Sequence, residues 1–444
     1  MKFPLASLLC LVLLGTTRAG EAAAGISPIL PATLQTFAHE AEQELRGNIL
    51  PFWLKHARNP DRGDFHAFIG EDMRVRDDQP RGALLTSRIL WTFSAVQRRH
   101  PDPAYLEMAR YAYEDLTRRF VDPTHGGVFW SVNAVHTPAD MRKQIYGQVF
   151  AIYGLAEYFR TTGDQTALAQ AISIYRLVDQ HARDPVHGGY FDALDREWRR
   201  MGVNLLGPAP KTQNSHIHIL EAFTNLLRVW PDGGLRVRQR ELIELIMQRI
   251  IDPRTHHLVL FMQDDWTPVG DEVSYGHDIE LSWLLVEAAE VLGDQELLAR
   301  VKAKALAVAA VTLEQGLDKD GGMYNEGTNH GPTDTRKDWW EQAEAAVGFL
   351  NAYQLSGDSR YFTQAQASWK FIQTYLVDRQ QGDWHSQLRR DGSPVLEVNL
   401  PSGQKMPYAK LSTWKCPYHN SRACLELAER LEALAGHAAS SGRP

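Results

Sequence analysis

The chain has little cysteine, no basic tract and, after its first residues, no long apolar run. Only three of its 444 residues are cysteines, so a hydrophobic core rather than a disulfide scaffold must stabilise the fold. Cys416 and Cys424 stand roughly 12 Å apart if both lie on one helix, which is too far for them to pair. The formal net charge is −7, and phosphate contacts need clustered basic side chains. We therefore expect no nucleic-acid partner.

The first residues have the pattern of a secretory signal peptide. MKFPLASLLCLVLLGTTRAGEAAAG has a lysine at position 2, an apolar run through Leu14 and small residues afterwards. We expect cleavage after Ala19 or Ala24 and a secreted or periplasmic protein, the alternative being a buried N-terminal helix. The apolar run is too short for an ordinary membrane span. With residues 1–24 removed, we expect no membrane partner.

The remaining sequence contains a repeat of about 60–68 residues. DPTHGGVFW, DPVHGGYFD, DPRTHHLVLF, DKDGGMYNE and DRQQGDWHS begin at aspartates 122, 184, 252, 318 and 378. A second series, out of step with the first, places aspartates at 102, 164, 232, 294 and 358 in turns such as TTGDQTAL and VLGDQELL. Between these turns apolar residues recur at every third or fourth position, which predicts helices.

This pattern predicts an all-α protein of twelve helices in six antiparallel pairs. We expect the helices at 33–56, 81–99, 103–120, 142–160, 165–182, 212–229, 236–251, 276–292, 295–314, 339–356, 359–376 and 418–435. An open stack of repeats would need polar end repeats, but the first and last helices are as apolar as the others. We predict a closed (α/α)6 barrel that forms a single domain over 25–444. Its functional site should lie where the inner helices begin.

Residues that carry chemistry occur at the start of every second helix. They are Arg88 and Trp91, Tyr146, Asn214 and His218, His277 and Glu280, Trp340 and Glu344, and Trp414 and His419. Residues three or four apart on one helix share a face. The other helices begin with ordinary residues, as in AYLEMA and ELLARV. One histidine or tryptophan near a helix start is usually structural, but this recurrence predicts a pocket.

Imidazoles, a guanidinium and aromatic walls suit proton transfer beside a sugar carbonyl. An imidazole with its ordinary pKa near ~6.5 exchanges protons at neutral pH. The fixed charge of Arg88 can stabilise an enolate oxygen. The C2–H of an open-chain aldose is acidic, so two bases that reach C2 from opposite faces would invert that carbon. A closed ring can aim His277 and His419 across the cavity in this way.

Histidine is also the commonest zinc ligand, so a metal site is the alternative use of these side chains. The sequence has no HExxH motif and no cysteine cluster. His216 alternates with His218 on one helix and faces away from it, while His256 and His257 fall in a turn where a structural or solvent-exposed role is favoured. We therefore predict no metal site.

Seven stretches resemble the cellobiose 2-epimerases, within the N-acylglucosamine 2-epimerase superfamily. They are SRILWTFS, KQIYGQ, NSHIHILEAF, SYGHDIELSWLL, GGMYNEG, KDWWEQAEA and WKCPYHNSRA, and they occur in family order. WKCPYHN points to the disaccharide epimerases more than to the N-acylglucosamine branch. Cys416 stands where the family motif has glycine, and the export signal is unusual beside cytoplasmic members.

The resemblance implies an (α/α)6 barrel and reversible, cofactor-independent epimerisation at C2 of the reducing-end sugar. The substrates would be β-1,4-linked disaccharides such as cellobiose, lactose and mannobiose, and the protein a monomer or weak homodimer. His277 and His419 would be the general acid/base pair, acting through an enediolate. By motif match, the other roles are ring opening and hydroxyl binding for His218 and Asn214, contact with enediolate oxygens for Arg88 and Tyr146, support of His277 for Glu280, and sugar binding for Glu326, Trp340 and Trp414.

Three other functions stay open on the sequence. The first is an aldose–ketose isomerase, or a 2-epimerase of free mannose or N-acylglucosamine, on the same fold. The second is a glycoside hydrolase, which would need two cavity carboxylates about 5–10 Å apart, with Glu280, Glu326 and Glu344 as candidates. The third is a sugar-binding protein without catalysis, against which the paired histidines argue.

Overall fold

The helices form an inner and an outer ring. The computed structural model describes residues 29–202, 204–399 and 405–441, with side chains to 437, so the predicted signal peptide lies outside the described residues. The inner helices are α3 (Ala83–Arg99), α5 (Ile145–Thr162), α7 (Gln213–Val229), α9 (Tyr275–Leu292), α11 (Trp339–Ser356) and α13 (Tyr418–Ser441). The outer helices are α1 (Pro31–Glu44), α2 (Leu50–His56), α4 (Pro103–Asp115), α6 (Gln165–His181), α8 (Gly233–Leu245), α10 (Gln295–Gln315) and α12 (Ser359–Phe371).

Four of the outer helices contain or end in one π-helical turn. These turns are Leu45–Ile49 between α1 and α2, Leu116–Phe120 after α4, Ile246–Ile250 after α8 and Ile372–Leu376 after α12. Together with them, the helices match the predicted ranges to within a few residues at most ends. None of the helices in the described ranges is both long and apolar enough to span a bilayer.

The ring of inner helices is closed. Each inner helix packs against the next one along the chain, and α13 packs against both α11 and α3. Each inner helix also packs against one outer helix. The pairs are α3–α4, α5–α6, α7–α8, α9–α10, α11–α12 and α13–α1. The first helix therefore completes the pair of the last. The (α/α)6 barrel predicted from the repeat is confirmed.

Short antiparallel strands connect the outer helices to the inner ones. They are β1 (Arg58–Asn59), β2 (Asp64–Phe65), β3 (Ile69–Gly70), β4 (Arg81–Gly82), β5 (Ser131–Val132), β6 (Pro138–Asp140), β7 (Lys143–Gln144), β8 (Ala193–Leu194), β9 (Lys211–Thr212), β10 (Phe261–Met262), β11 (Pro268–Val269), β12 (Glu272–Ser274), β13 (Glu326–Thr328), β14 (Gly331–Asp334), β15 (Lys337–Asp338), β16 (Gln387–Leu388), β17 (Glu397–Asn399), β18 (Lys405–Pro407) and β19 (Ala409–Leu411).

The strands that precede inner helices link neighbouring loops into a second ring. The pairs are β4–β5, β7–β8, β9–β10, β12–β13, β15–β16 and β19–β3. In each pair one strand leads into an inner helix and the other belongs to a neighbouring loop. The start of every inner helix is therefore held by backbone hydrogen bonds on the same end of the barrel.

The two aspartate series of the repeat have separate structural roles. Aspartates 102, 164, 232, 294 and 358 are the N-caps of α4, α6, α8, α10 and α12. The other series lies in the loops at the opposite end. There the Asp122 carboxylate accepts backbone N–H groups of Thr124 and His125 and binds Lys143, 3.1 Å away at the start of the next inner helix. In each repeat, one aspartate therefore caps an outer helix at one end of the barrel, and the other lies in a loop at the opposite end.

Candidate active site

The starts of the inner helices converge on one cluster of side chains. Tyr146 of α5 lies against the imidazole of His218 on α7, with ring centroids 5.0 Å apart. Trp340 of α11 packs on His277 of α9 at 4.6 Å and on His419 of α13 at 5.6 Å. Side chains predicted to line a pocket are thus brought together by helices that are distant in sequence.

Arg88 is buried between aromatic rings on the floor of this cluster. Its Nη2 donates to the hydroxyl of Tyr146 at 2.8 Å, and its Nη1 lies 3.6 Å from Sγ of Cys416. The guanidinium lies over the rings of Phe150, at 4.2 Å, and Tyr418, at 4.9 Å. These contacts hold a permanent positive charge in one orientation. The Nε atom of Arg88 is buried without a hydrogen-bond partner.

His218 is held by a glutamate one turn further along α7. Its Nδ1 lies 2.9 Å from Oε2 of Glu221, and both side chains are buried. Burial raises the pKa of Glu221, but Arg422 and the hydrogen bonds from His218 and Tyr418 outweigh it and bring that pKa to about 2. A carboxylate only accepts hydrogen bonds, so Nδ1 of His218 carries a proton and Nε2 is left free.

His419 has the same kind of partner on another helix. Its Nδ1 lies 2.7 Å from Oε1 of Glu344 on α11 and 3.9 Å from Oε1 of Glu280 on α9. Burial, Arg88 and Arg422 lower the pKa of His419 well below its usual value. His419 is therefore a neutral imidazole at neutral pH, with Nδ1 occupied by its glutamate.

His277 differs from the other two because its Nδ1 lies 2.8 Å from Oγ of Ser274, in the strand before α9. The prediction that Glu280 supports His277 is wrong. Glu280 lies one turn further along the helix but turns to Arg422, whose Nη2 is 2.6 Å away. Burial, with a smaller contribution from His218, lowers the pKa of His277 to about 3.

His277 and His419 do not face each other directly across the barrel. Their helices, α9 and α13, are the two neighbours of α11 in the inner ring. Both imidazoles pack on Trp340 at the start of α11. They therefore flank one aromatic side chain instead of occupying opposite walls, and the inner helix opposite His419 is α7, which carries His218.

Trp414 and Trp130 form an aromatic rim beside Tyr146, on the more exposed side of the cluster. The side chain of Trp414 is 44% exposed, and its ring lies 5.7 Å from Tyr146 and 6.2 Å from Trp130, a residue that the sequence did not single out. Exposed tryptophan faces suit the apolar faces of sugar rings. Trp91 is different, because it is buried and stacks on Tyr153 at 5.2 Å, so it belongs to the core.

Asn214 and Glu326 lie at the edge of the cluster. Asn214 is half-buried at the start of α7, and its Oδ1 has no hydrogen-bond partner. Glu326 is exposed in β13, where it pairs in register with Ser274, the partner of His277. Although the residue is exposed, partial desolvation of its carboxyl and the charge of the neighbouring Asp334 raise the pKa of Glu326 above its usual value. In the described structure neither residue is hydrogen-bonded to a histidine.

Arg422 and three glutamates form a buried network beneath the histidines. Nη2 of Arg422 lies 2.6 Å from Oε1 of Glu280 and 2.6 Å from Oε1 of Glu344, and Nη1 binds Glu221 and the hydroxyl of Tyr418. Burial and the nearby Glu344 raise the pKa of Glu280 well above its usual value. Arg422, Tyr418 and Glu221 were not predicted as site residues, although the spacings H-x-x-E and Y-H-x-x-R place all three beside predicted histidines.

His216 and His257 are hydrogen-bonded to the surrounding structure, and for His257 this is one of the predicted roles. Nδ1 of His216 lies 2.7 Å from the carbonyl oxygen of Thr212, and its Nε2 accepts the N–H of Tyr190 at 3.0 Å. His257 is paired with Asp278 at 2.6 Å. Two groups in the described ranges bring carboxylates and a histidine together: Glu71, Asp378 and His385, and Glu280, Glu344 and His419. Lys410 lies in the first and Arg422 in the second, and these cations neutralise the carboxylates that a metal would need.

Known proteins are similar to this chain in sequence and in the arrangement of their helices. The family model for N-acylglucosamine 2-epimerase (GlcNAc 2-epimerase) matches residues 63–411. The chain belongs to this family.

Within the N-acylglucosamine 2-epimerase family, the chain is similar to proteins named cellobiose 2-epimerase. That of Bacteroides fragilis is 41% identical over 393 residues, which are 87% of this chain and 97% of the relative. The solved cellobiose 2-epimerase of Spirochaeta thermophila is 38% identical, with a TM-score of 0.83 over 90% of this chain and 98% of that one. The prediction that the protein is an isomerase of the cellobiose 2-epimerase type is confirmed.

More distant structures show only that the fold is shared. A D-mannose isomerase has a TM-score of 0.75 at 21% identity, and a GH76 α-mannanase of Bacteroides thetaiotaomicron has a TM-score of 0.60 at 12% identity. Proteins named as isomerases and as hydrolases therefore use this barrel. The side chains at the inner helix starts, not the fold, must decide the chemistry of this family member.

Cys416 gives a first test of how Arg88 is held. We expect Cys416→Ala to lower kcat about three- to tenfold, because Nη1 of Arg88 loses its sulfur partner, and Cys416→Ser to retain most activity. Cys424→Ala is the matched control, since that thiol is equally buried, lies in the second turn of α13 and is not among the hydrogen-bond partners of Arg88. Steady-state kinetics that do not separate the two alanine variants would contradict this role.

Proposed function

We propose that the protein reversibly epimerises C2 of the reducing-end sugar in β-1,4-linked disaccharides. Cellobiose would give glucosyl-mannose and lactose would give epilactose, and mannobiose is a further substrate. One observation supports this best: a buried guanidinium paired with a tyrosine hydroxyl lies beside three neutral imidazoles under an aromatic rim. The relatives named cellobiose 2-epimerase support the disaccharide class.

The proposed reaction begins with opening of the sugar ring. Nε2 of His218 is free to take the proton of the anomeric hydroxyl, and Asn214 presents an unpartnered Oδ1 to a sugar hydroxyl. As the C1=O1 double bond forms and the bond from C1 to the ring oxygen breaks, the ring oxygen takes the proton that His218 removed, and His218 is neutral again. C1 then becomes an aldehyde carbon, which acidifies the C2–H. The Trp414 and Trp340 faces would hold the two sugar rings during this step.

Proton transfer at C2 then proceeds through an enediolate. One of His277 and His419 takes the C2 proton, the C–H electron pair forms the C1=C2 bond, and negative charge moves to O1. Arg88, held by Tyr146, lies ready to stabilise that charge without reorganising. Return of a proton to the opposite face of C2 restores the aldehyde with inverted configuration.

The proton that returns must already be on the second histidine. Burial keeps both imidazoles neutral in the free protein. We therefore infer that one proton enters the pair as the substrate binds, where the developing enediolate charge favours an imidazolium. The pair then shares one proton and exchanges it between the two faces of the sugar carbon.

The alternatives differ in where they put the proton or what bond they break. An aldose–ketose isomerase would return it to C1, which needs only a shifted acid. A glycoside hydrolase would need two available carboxylates, but Glu280 and Glu344 are buried and bound to Arg422, and Glu326 lies apart on β13. The carboxylate arrangement therefore favours the epimerase.

Product analysis tests the proposal directly. The purified protein is incubated with cellobiose, lactose, mannobiose and free mannose, and the sugars are identified by NMR and chromatography. We expect 2-epimers of the disaccharides as the main products. A ketose as the main product would favour the isomerase, and released monosaccharides the hydrolase.

Chelation tests the predicted independence from metals. Treatment with EDTA followed by dialysis should leave most of the activity, because two imidazoles suffice for proton transfer and cations already occupy the carboxylate groups. Epimer formation before and after treatment is the measurement. Loss of activity that zinc or manganese restores would show that a metal is required.

We also propose that residues 1–24 direct export, so that the reaction takes place outside the cytoplasm. The apolar run after Lys2 and the small residues at 19–24 support this proposal. Expression in a Gram-negative host, followed by fractionation and N-terminal sequencing of the protein, tests it. Retention in the cytoplasm with an intact N-terminus would contradict it.

A further inference from the structure

Arg422 is a buried cation that the proposed reaction does not use directly. It lies one turn beyond Tyr418 on α13, with its guanidinium 4.4 Å from the Tyr418 ring and 4.8 Å from the ring of Trp283. Only 2% of Arg422 is exposed, so its charge acts on buried groups and not on the protein surface. Its Nη atoms bind the carboxylates of Glu221, Glu280 and Glu344, each on a different inner helix.

Two of these carboxylates also hold histidines. Glu221 accepts from Arg422 with Oε1 and meets Nδ1 of His218 with Oε2, while Oε1 of Glu344 meets both Arg422 and Nδ1 of His419. One guanidinium therefore connects the two imidazoles through their glutamates. His277 lies outside this connection, because its Nδ1 partner is Ser274.

We propose that Arg422 is a positioning residue: by holding Glu221 and Glu344, it fixes His218 and His419 in the tautomer that carries its proton on Nδ1 and leaves Nε2 free to accept a substrate proton. This rests on the proposed function for its catalytic meaning, although the tautomers themselves can be measured without substrate. A base with its proton on the wrong nitrogen cannot take a proton from the sugar, and a wrong tautomer costs about 10⁴-fold in the rate of a serine protease.

The charges around Arg422 determine the expected pH effect. The groups that face it are Tyr153 on α5, His218 and Glu221 on α7, Glu280 on α9, Glu344 on α11, and Tyr418 and His419 on α13. Burial raises the pKa of Glu344 above its usual value, and Arg422 opposes that rise. Arg422 also helps to hold the pKa of Glu221 below its usual value and, together with burial, that of His419. Without it, these groups bind protons at higher pH, so the acid limb of kcat/KM must move upwards.

The test compares Arg422→Gln, Arg422→Lys and the control Arg430→Gln. Arg430 lies two turns further along α13, packs 5.7 Å from the same Trp283 ring and is paired with Glu426 and Asn351, away from the histidines. We expect Arg422→Gln to lower kcat about 10²-fold or more while KM changes less than about fivefold. Its acid limb should move up by about one pH unit or more. Arg430→Gln should match the parent in both.

Arg422→Lys separates charge from geometry. Lysine keeps the positive charge but has no planar fork to bind carboxylates on three helices. Compared with Arg422→Gln, we expect Arg422→Lys to bring the acid limb of kcat/KM part of the way back towards its parent position. We expect a smaller recovery of kcat. It also guards against a glutamine variant that does not fold, which circular dichroism and thermal melting of all three variants would reveal.

Substrate-free NMR provides the second readout. Histidine side-chain nitrogens are labelled with ¹⁵N, and the signals of His218 and His419 are assigned by their loss in His218→Asn and His419→Asn. We expect both to be Nδ1–H tautomers in the parent, and at least one to change tautomer or become cationic in Arg422→Gln. Unchanged tautomers, or a kcat within threefold of the parent, would overturn the proposal. If the parent has no epimerase activity, the proposed function fails while the tautomer result still decides the role of Arg422.

Discussion

We expect replacement of His277 or His419 with asparagine to lower epimer formation by about 10²–10⁴-fold while the fold stays intact. General acid/base groups typically contribute this much each, and inversion in either direction needs one base to take a proton and the other to return one. His277 is half-buried and bound only to Ser274, and His419 is bound to Glu344, so asparagine keeps a polar side chain at both positions. Rates of epimer formation from cellobiose are the measurement.

Each single variant should still exchange one proton with solvent. The remaining base reaches only one face of C2, so it can remove and replace the proton of one epimer without inverting the carbon. In deuterated water, the His277 variant should incorporate deuterium at C2 of one sugar, and the His419 variant at C2 of the other. NMR of cellobiose and of glucosyl-mannose, each incubated separately, shows which sugar exchanges.

A histidine at the rim supplies the control. His330, exposed between β13 and β14, contacts none of the three site histidines in the described structure, so His330→Gln should behave as the parent. If either asparagine variant epimerises within threefold of the parent, the two-base mechanism is wrong. A single mobile base would then have to serve both faces, and the position of both imidazoles beside Trp340 would be its starting geometry.

Arg88→Lys should lower kcat by roughly 10²-fold or more, the scale of losing one oxyanion donor. Lysine keeps the charge, but a single ammonium cannot bind the hydroxyl of Tyr146, Sγ of Cys416 and an enediolate oxygen in fixed directions. Burial among Phe150 and Tyr418 also disfavours the charged form of a lysine, whereas an arginine stays charged there.

Arg98→Lys is the matched control for this substitution. Arg98 lies on the same helix, α3, at the end away from the site, and its Nε is 3.0 Å from Glu157. We expect steady-state kinetics of this variant to equal those of the parent. An Arg88→Lys variant within threefold of the parent would assign Arg88 a structural role instead.

The fold was predictable because each repeat contains short sequence signals that mark where its helices begin. The second aspartate series marks helix starts, since an aspartate side chain caps the free N–H groups there, and each capped helix begins just after its predicted aspartate. The pairing of α1 with α13 was less visible, because no local signal links residues 400 positions apart. Only the requirement that every inner helix be covered implies it.

The site was only partly predictable. Its histidines stand at equivalent positions of the repeat, which gives a pattern to find. The hydrogen-bond partner of each glutamate follows no such pattern. Glu280 lies one turn from His277 but binds Arg422. Arg422 carries a permanent positive charge that stabilises a buried acidic group, whereas His277 is a neutral imidazole. The same holds for Glu344, which serves His419 from another helix. Sequence spacing indicates which residues share a helix face, but it does not indicate which of several nearby groups a glutamate binds.

The pairing of α1 with α13 makes the barrel a circle without a first or last repeat. A circularly permuted gene should therefore encode the same enzyme, with α13 linked to α1 and a new start elsewhere. The turn at Gly293 and Asp294 is suited to the cut, because it lies at the C-terminal end of α9, away from the imidazoles. Such a permutant would order its histidines differently along the chain and yet present the same cavity to a sugar.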